Sequence, residues 1–524
     1  MTNDNRVRTL GRLLSVLFGC TAGFILIVNL LKSYFPHVLN YYFKLETLLP
    51  NPVMMLFGLL FIIGIYLILR TIERHRNPLR RSRLSERNTL LLTGAAFFVI
   101  QMYMIYNYCF ETNWDVQMLL DSARHIANGQ HPNHNAWYYG CYPNNLLLTV
   151  IFAVILWITK PLHLGALDFF PILTVQSLLC VMAGFMLYQT IVHRWHRRDM
   201  AWLGMTLYLL LVGLSPWTSI PYSDAWALLF PIAVLWMYSC NILSERRFLR
   251  WFLMVFIAYI GFKIKPQVIF ILLSLVAIET VDVLLREKTT SLREVLHRKG
   301  LQGGAAGLAS AFVIAWVITA AAPVAHNSNR RFGASHFLMM GLNMKSFGGY
   351  NNDDVIFAQG FATQRERNKA ELKVAGQRLY EMGLKGFGQL ACEKTLVNYY
   401  DGTFSWGKEG NFYKIVFPER NGHLSPFLRN LYYNPMIHGA YYPYWCTGAT
   451  IVWLGVLVLM FFAAIGRQDR FSAALMISIL LLTLYETLFE ARARYLYAYL
   501  PFYILLALQG ISNIERITTK KRSQ

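Results

Sequence analysis

The sequence is short of charge, and of acid in particular. Only 15% of its 524 residues are charged, and 28 Asp and Glu stand against 49 Lys and Arg. A soluble chain of this length would carry more charge and would divide into several domains. Cysteine is also scarce. The seven cysteines show no metal-ligand spacing, which excludes a cysteine-based metal framework. There is no internal repeat, no low-complexity tract and no Gly-rich phosphate loop between the apolar runs. Solenoids, disordered scaffolds and a nucleotide-sugar site are thereby set aside.

What the chain has instead is apolar length. Hydrophobic residues make up 55%, in runs such as Leu13–Leu31, Val53–Leu69, Leu90–Tyr108, Phe169–Val192, Ala225–Ile242, Val268–Leu285, Ala305–Ala322, Phe471–Phe489 and Leu496–Leu508. A membrane span needs roughly 20 mostly apolar residues, and the shorter runs reach that length with flanking Tyr and Trp suited to the interface. The fold class is therefore an all-α polytopic membrane protein of about twelve transmembrane helices. The first run follows Arg6, Arg8 and Arg12, is too long for a signal-peptide core and is expected to be a retained helix. The net charge of +21 would suggest nucleic acid in a soluble protein. Here the basic residues sit in short clusters between apolar runs, as in cytoplasmic loops, so no nucleic-acid partner is expected and the bilayer is.

The clusters set the topology. Arg74, Arg76, Arg80, Arg81, Arg83 and Arg87 belong inside, two helices after a cytoplasmic N-terminus. A third helix delivers residues 110–168 to the outside. Leu146–Thr159 is apolar but only about 14 residues long, in the range typical of interfacial or re-entrant segments. Keeping it on the outer face places His193–Arg198, Arg246–Arg250, Arg286–Lys299, Arg467–Arg470 and the basic C-terminal tail all inside. It also requires a tight outer hairpin through Lys263-Ile264-Lys265-Pro266. The expected organisation is a membrane domain over 1–324 with its first external loop at 110–168, an external mixed subdomain over 325–445 and C-terminal helices over 446–524, both termini cytoplasmic. Within the subdomain, Thr363–Glu381 has helical composition, after which glycines and prolines are expected to break the chain. Cys109 and Cys141 flank the first external loop and could pair there; Cys20, Cys180 and Cys240 lie inside apolar runs as packing residues.

Four groups of polar residues gather on the outer side. Asp115 follows a membrane exit, and Val116, Leu119, Leu120 and Ala123 recur at helical spacing, which predicts an amphipathic helix over Asp115–Asn128 with Glu111 and Asp115 near its start. Asp224 ends Pro221-Tyr222-Ser223-Asp224 and opens an apolar run, where a helix cap is the plain alternative. Lys263 and Lys265 stand in the apolar hairpin, costly unless paired or facing a cavity. Arg492 and Arg494 break the positive-inside pattern. Their forked guanidinium groups suit a phosphate, unless they pair with Glu486 or Glu490. Asn352, Asp353 and Asp354 could hold a divalent cation but fit a solvated turn better. Acids and cations on one membrane face suit a phosphate-activated substrate at the outer leaflet.

In the order of these motifs the chain resembles the GT-C superfamily of multi-spanning glycosyltransferases. The resemblance runs from Tyr106 to Gly510. It consists of Trp114-Asp115 after an early helix, a helix ending Ala127-Asn128-Gly129, Tyr142-Pro143 before a short apolar segment, Tyr222-Ser223-Asp224, and Arg494-Tyr495 leading into a last helix with Pro501. It is similar above all to bacterial dolichyl-phosphate-mannose-mannosyltransferase-like proteins. Where that family has Tyr-Pro-Pro, this chain has Tyr142-Pro143-Asn144-Asn145, similar to Gram-positive members. The resemblance implies a polyprenyl-phosphate sugar as donor, a cell-surface glycan or other acceptor, and the bacterial cytoplasmic membrane as location. It puts the catalytic carboxylate in the first external loop, on Asp115 with Glu111 or Asp121 as alternatives. In an inverting displacement that carboxylate takes the acceptor proton, and Arg492, Arg494, Lys265 and Lys263 are the candidates for the donor phosphate. Tyr142, Asn144, Asn145, Tyr222, Asp224, Tyr495 and Trp406 are the candidates for contact with sugar or acceptor. No cofactor or metal is called for. The competing readings are a lipid-linked sugar flippase or transporter, a polysaccharide polymerase or ligase with a pyrophosphate-linked donor, and a non-catalytic assembly subunit.

Overall fold

The computed structural model describes residues 3–38, 47–75, 83–108, 110–286, 298–324, 327–410, 413–418, 423–433, 439–466 and 468–522. The proposed Cys109–Cys141 pairing involves Cys109, and the basic clusters include Arg76, Arg80, Arg81, Lys288, Arg293 and Arg467; these residues lie outside the described ones.

Helices dominate. In chain order the longer ones are α1 (Asn3–Leu30), α2 (Asn51–His75), α3 (Arg83–Tyr108), α4 (Asp115–Ala127), α5 (Leu146–Thr159), α6 (Phe170–Trp195), α7 (Arg198–Tyr208), α8 (Ser223–Ser239), α9 (Arg247–Ile264), α10 (Ile269–Arg286), α11 (Lys299–Ala320), α12 (Ala334–Gly341), α13 (Asn352–Gln359), α14 (Gln364–Tyr399), α15 (Leu424–Tyr432), α16 (Tyr442–Phe461), α17 (Arg470–Leu488) and α18 (Leu500–Arg522). Ten helices among the described residues are long and apolar enough to cross a membrane. Leu13, Val16, Leu92, Val99, Phe312 and Trp316 project exposed from them, as lipid-facing side chains do. The last helix is the best enclosed, with Leu500 through Leu508 all buried, Pro501 included.

Ion pairs mark the two ends of this bundle. At one end Arg194 meets Asp469, Arg198 meets Glu86, and Arg197 binds both Asp199 and Glu515. At the other, Lys265 and Arg494 converge on Asp224. The α9–α10 hairpin is as expected. Pro266 cannot continue the helical hydrogen bonding of α9, and the chain turns over Lys265–Val268 at the Asp224 end. Helix α7 begins at the arginine-rich end, passes into a π-turn at Leu209–Gly213 and arrives at Trp217, whose indole donates to the Thr403 carbonyl.

Helix α5 is one of the ten by length and composition once its flanking turns are counted, Pro143–Leu162. Two sets of contacts locate it. Phe152 lies against Trp226, at the start of α8, with ring centroids 5.4 Å apart. Leu156 and Thr159 border the same small cavity as Arg124 and Asp168, just before α6 begins. Helix α4 lies along α5, joined through the Tyr139 hydroxyl, which contacts the Met118 carbonyl and Thr149. Val116, Leu119, Leu120 and Ala123 are buried as the spacing requires.

The segment expected as an external subdomain is more helical than its glycines suggested. Thr363 and Glu366 form a capping box that starts α14. The helix then runs on to Tyr399, interrupted only where Gly383 takes a left-handed φ of 56°. The expected break after Glu381 is therefore a single kink. Asn352–Asp354 are not a turn either: they open α13, with Asn351 capping and Asp354 paired to Arg378 at 2.6 Å. The segment is tied to the first loop by a two-stranded antiparallel sheet, β1 (Phe110–Thr112) with β2 (Tyr413–Val416), Glu111 facing Ile415. Trp406 packs against Trp217 and Phe110 at steep ring angles, with centroids 5.3 and 6.1 Å away.

The close contact between α9 and α11 depends on glycine. A Cβ on Gly303 or Gly307 of α11 would collide with the backbone carbonyls of Phe248 and Phe252 of α9. Gly307→Val is expected to force these helices apart and to cost about 1–3 kcal/mol or more of stability, seen as a lower thermal midpoint in detergent. An unchanged midpoint would contradict this packing.

Candidate active site

The site forms where three loops meet the ends of the helices. Trp114-Asp115 starts α4, Tyr222-Ser223-Asp224 starts α8, and Glu490-Ala491-Arg492-Ala493-Arg494 links α17 to the last helix. Lys265 enters from the α9–α10 turn and Glu409 from a π-turn at Trp406–Gly410.

Asp224 was open to a helix-cap reading, but Tyr222 is the cap residue and the Asp224 carboxylate faces inward instead. Lys265 Nζ donates to one oxygen, and Arg494 Nη1 donates to the other at 3.0 Å. Arg494 Nε donates to Glu409 at 2.9 Å. Arg492 Nη1 lies 3.0 Å from the same Glu409 oxygen, and Arg492 Nε donates to Glu490 at 2.8 Å. Asp224, Lys265, Arg494 and Glu409 are all almost fully buried, so each charge depends on its partner. Three cations face three carboxylates. Burial, the largest single influence, would raise the Glu490 carboxyl; Arg492 and Arg494 and the Tyr495 hydroxyl together outweigh it and hold it below the ordinary range. Both arginines keep a terminal nitrogen, Nη2, that makes no hydrogen bond among the described residues.

Asp115 stands beside this chain of charges. Tyr222 donates its hydroxyl to Asp115 Oδ2 at 2.9 Å, while Oδ1 accepts nothing from the described residues. Asp115 is only partly buried. Trp114 meets Tyr222 edge to face at 4.8 Å, and the Arg494 guanidinium lies 4.5 Å from the centre of the Trp114 ring. One packed unit, Asp115–Tyr222–Trp114–Arg494–Asp224–Lys265, thus joins a free carboxylate oxygen to a cation cluster.

The three acids weighed for the base separate. Glu111 lies in the strand β1 and binds Arg124 at 2.7 Å, with Asp168 on the same guanidinium at 2.6 Å. Asp121 sits 3.7 Å from Arg124 and 3.8 Å from Lys414. Among the described residues neither has a hydrogen bond or ion pair with the Asp224 cluster. Lys263 is half-buried on α9 and has no ion pair among the described residues. Tyr495 joins the cluster: its hydroxyl donates to Glu490 at 3.2 Å, and Lys265 lies over its ring. Tyr142 is part-exposed between Tyr138 and Phe332, near the charges of Asp115 and Glu490. Asn144 is exposed, so it remains open to a ligand. Asn145 is not: it is buried and donates to the Tyr138 hydroxyl at 2.6 Å. Trp406 is a further correction. It has no exposed surface and its indole donates to the Tyr432 carbonyl, so its ring is core and cannot stack on a sugar.

Glu409 went unread in the sequence. The signal available was an acid between glycines, Gly407-Lys408-Glu409-Gly410, distant from every other member of the cluster. Tyr350 went unread as well; it is half-exposed, with Arg492 over its ring at 5.8 Å.

Behind the cluster, Lys394 of α14 is buried and donates to the carbonyls of Gly341 and Phe489 at 2.9 and 2.6 Å. Burial lowers its amine from 10.5 to about 7, against the opposing pull of Glu486 and Glu490. Across pH 7 to 10.5 the unfolded chain therefore binds a proton that the folded chain lacks. Stability is expected to rise with pH through that window, and Lys394→Met to flatten the rise. Thermal midpoints of both proteins at pH 7 and pH 10 check this; equal slopes would contradict it.

Helices of this length and composition, with exposed apolar flanks and charge confined to their ends, define a multi-pass integral membrane protein in contact with the bilayer. The chain belongs to the family described as "Conserved hypothetical integral membrane protein", whose model matches residues 7–513. Nothing among curated proteins or solved structures matches it.

Proposed function

We propose that this protein is a glycosyltransferase that moves a sugar from a polyprenyl-phosphate donor to a glycan or other acceptor at the outer face of a bacterial cytoplasmic membrane. The observation that carries this reading is the open Oδ1 of Asp115, one packed unit away from arginines with unused Nη2 groups. The topology proposed with it has twelve crossing helices: nine of the ten long apolar ones together with α7, α8 and α9. Helix α5 stays on the outer face, and the arginine-rich ends are cytoplasmic, as the positive-inside rule requires.

In the reaction, the acceptor oxygen attacks C1 of the sugar as the C1–O bond to phosphate breaks, inverting the anomeric centre. The acceptor proton passes to Asp115 Oδ1. Tyr222 holds Oδ2 and fixes the carboxylate plane. The leaving phosphate takes the bonding electron pair, and Arg492 and Arg494, with Lys265 behind them, stabilise the charge it gains. Asp224, Glu409 and Glu490 keep those cations ordered before the donor arrives, at the cost of competing with its phosphate. Tyr142, Asn144 and Tyr350 border the accessible side, where a sugar would stack and hydrogen-bond.

A flippase reading has less support, because transporter sites lie near the bilayer midplane between repeated halves, whereas these charges gather at one end of the helices. The test is transfer in proteoliposomes from a panel of labelled polyprenyl-phosphate sugars to a cell-wall acceptor fraction. Turnover of one donor supports the reading. Labelled lipid that crosses the bilayer without any transfer would replace it with a flippase.

A further inference from the structure

A second cavity lies at the opposite, arginine-rich end of the bundle, where the ends of α6, α8, α9, α10 and α17 meet. It has a volume of about 430 Å³ and is lined by His193, Arg194, His196, Arg250 and Arg470, with Glu279 as its one acid. Two of the arginines have carboxylate partners at its rim. Arg194 binds Asp469 at 2.7 Å, and Arg470 binds Asp282 and lies 3.6 Å from Glu279. Arg250 has none. Its Nη2 donates to the Tyr238 carbonyl at 2.6 Å, and no carboxylate of the described residues comes within ion-pair distance. The Nε atoms of Arg194 and Arg250 are both buried without a hydrogen-bond partner. A buried, unmatched guanidinium N–H beside an open cavity calls for an anionic acceptor.

Position narrows the ligand. Trp195, Tyr238 and Phe471 ring this end of the helices, the arrangement expected at headgroup depth. Arg194 lies over both the Trp195 and Phe471 rings. Basic pockets between transmembrane helices at this level take phosphate headgroups. We infer that this cavity binds a phosphate group, presented by an anionic lipid of the leaflet opposite the candidate active site, with Arg250 as the principal donor and His193 and His196 at its mouth. The cavity shares no residue with the Asp224 cluster, so this inference stands whether or not the chain transfers sugar.

The test is thermal unfolding of the full chain in detergent with added phosphatidylglycerol, phosphatidylcholine or glycerol phosphate. Phosphatidylglycerol is expected to raise the midpoint by several degrees at concentrations where phosphatidylcholine does nothing. Arg250→Gln should abolish most of that shift, and Arg250→Lys should keep part of it. If Arg250→Gln does not fold, the exposed pair His193→Asn and His196→Asn carries the same readout. An equal shift with glycerol phosphate alone would keep the phosphate site and make its ligand a soluble one. Equal shifts from the two lipids, or an undiminished shift in every variant, would overturn the inference.

Discussion

Asp115→Asn is expected to lower sugar transfer by about 10²- to 10⁴-fold while leaving donor affinity and thermal stability close to wild type. The reasoning is geometric. Asn keeps the side-chain shape and can still accept the Tyr222 hydroxyl at the Oδ2 position, but it cannot take the acceptor proton. Asp115 is partly exposed and belongs to no ion pair among the described residues, so its charge stabilises little in the fold. The loss should therefore fall on kcat rather than KM. Glu111→Gln is the matched control. It removes a carboxylate from the Arg124 pair, which lies outside the Asp224 cluster, and should affect stability before chemistry. Equal transfer by wild type and Asp115→Asn would move the base elsewhere.

Arg494 is expected to give the second large effect, in two separable parts. Arg494→Met leaves Asp224 and Glu409 each with one cation fewer in a buried setting, and breaking such a pair costs about 3–5 kcal/mol. Lys265 still reaches Asp224 and Arg492 still reaches Glu409, which favours the lower end. Arg494→Lys keeps the charge but loses the planar fork that spans Asp224, Glu409 and the free Nη2. It should unfold near the wild-type temperature and yet transfer about 10²- to 10³-fold more slowly, as for loss of one donor to a developing oxyanion. Unfolding and transfer measured on both variants separate the two parts. A wild-type rate for Arg494→Lys would remove Arg494 from the donor site.

Much of this was legible in one dimension because membrane helices and amphipathic helices write themselves as periodicity. The apolar spacing from Val116 to Ala123 gave α4, and the basic clusters gave the two ends of the bundle. The membership of Asp115, Tyr222, Asp224, Lys265 and Arg494 in one unit was foreshadowed by their shared expected face. What the sequence withheld was pairing across distance. Glu409 carries no local mark of a role, since its partners are contributed by loops far along the chain. Glu111 and Asp115 are neighbours in sequence, but a strand and a helix start between them send one to Arg124 and the other to Tyr222. Trp406 was a candidate for sugar contact, yet its ring is fully buried and packed against Trp217 and Phe110. The glycines after Glu381 were expected to break the chain because propensity penalises them, while α14 continues to Tyr399 with one kink at Gly383.

The central claim is a single displacement with Asp115 as base, and the anomeric configuration of the product tests it most directly. Purified wild-type protein in proteoliposomes would be given one polyprenyl-phosphate sugar that it turns over, and the product glycoside would be examined by NMR. The account predicts inversion at C1, with one polyprenyl phosphate released per glycoside formed. Retention at C1 would require a covalent or otherwise two-step path and would contradict it.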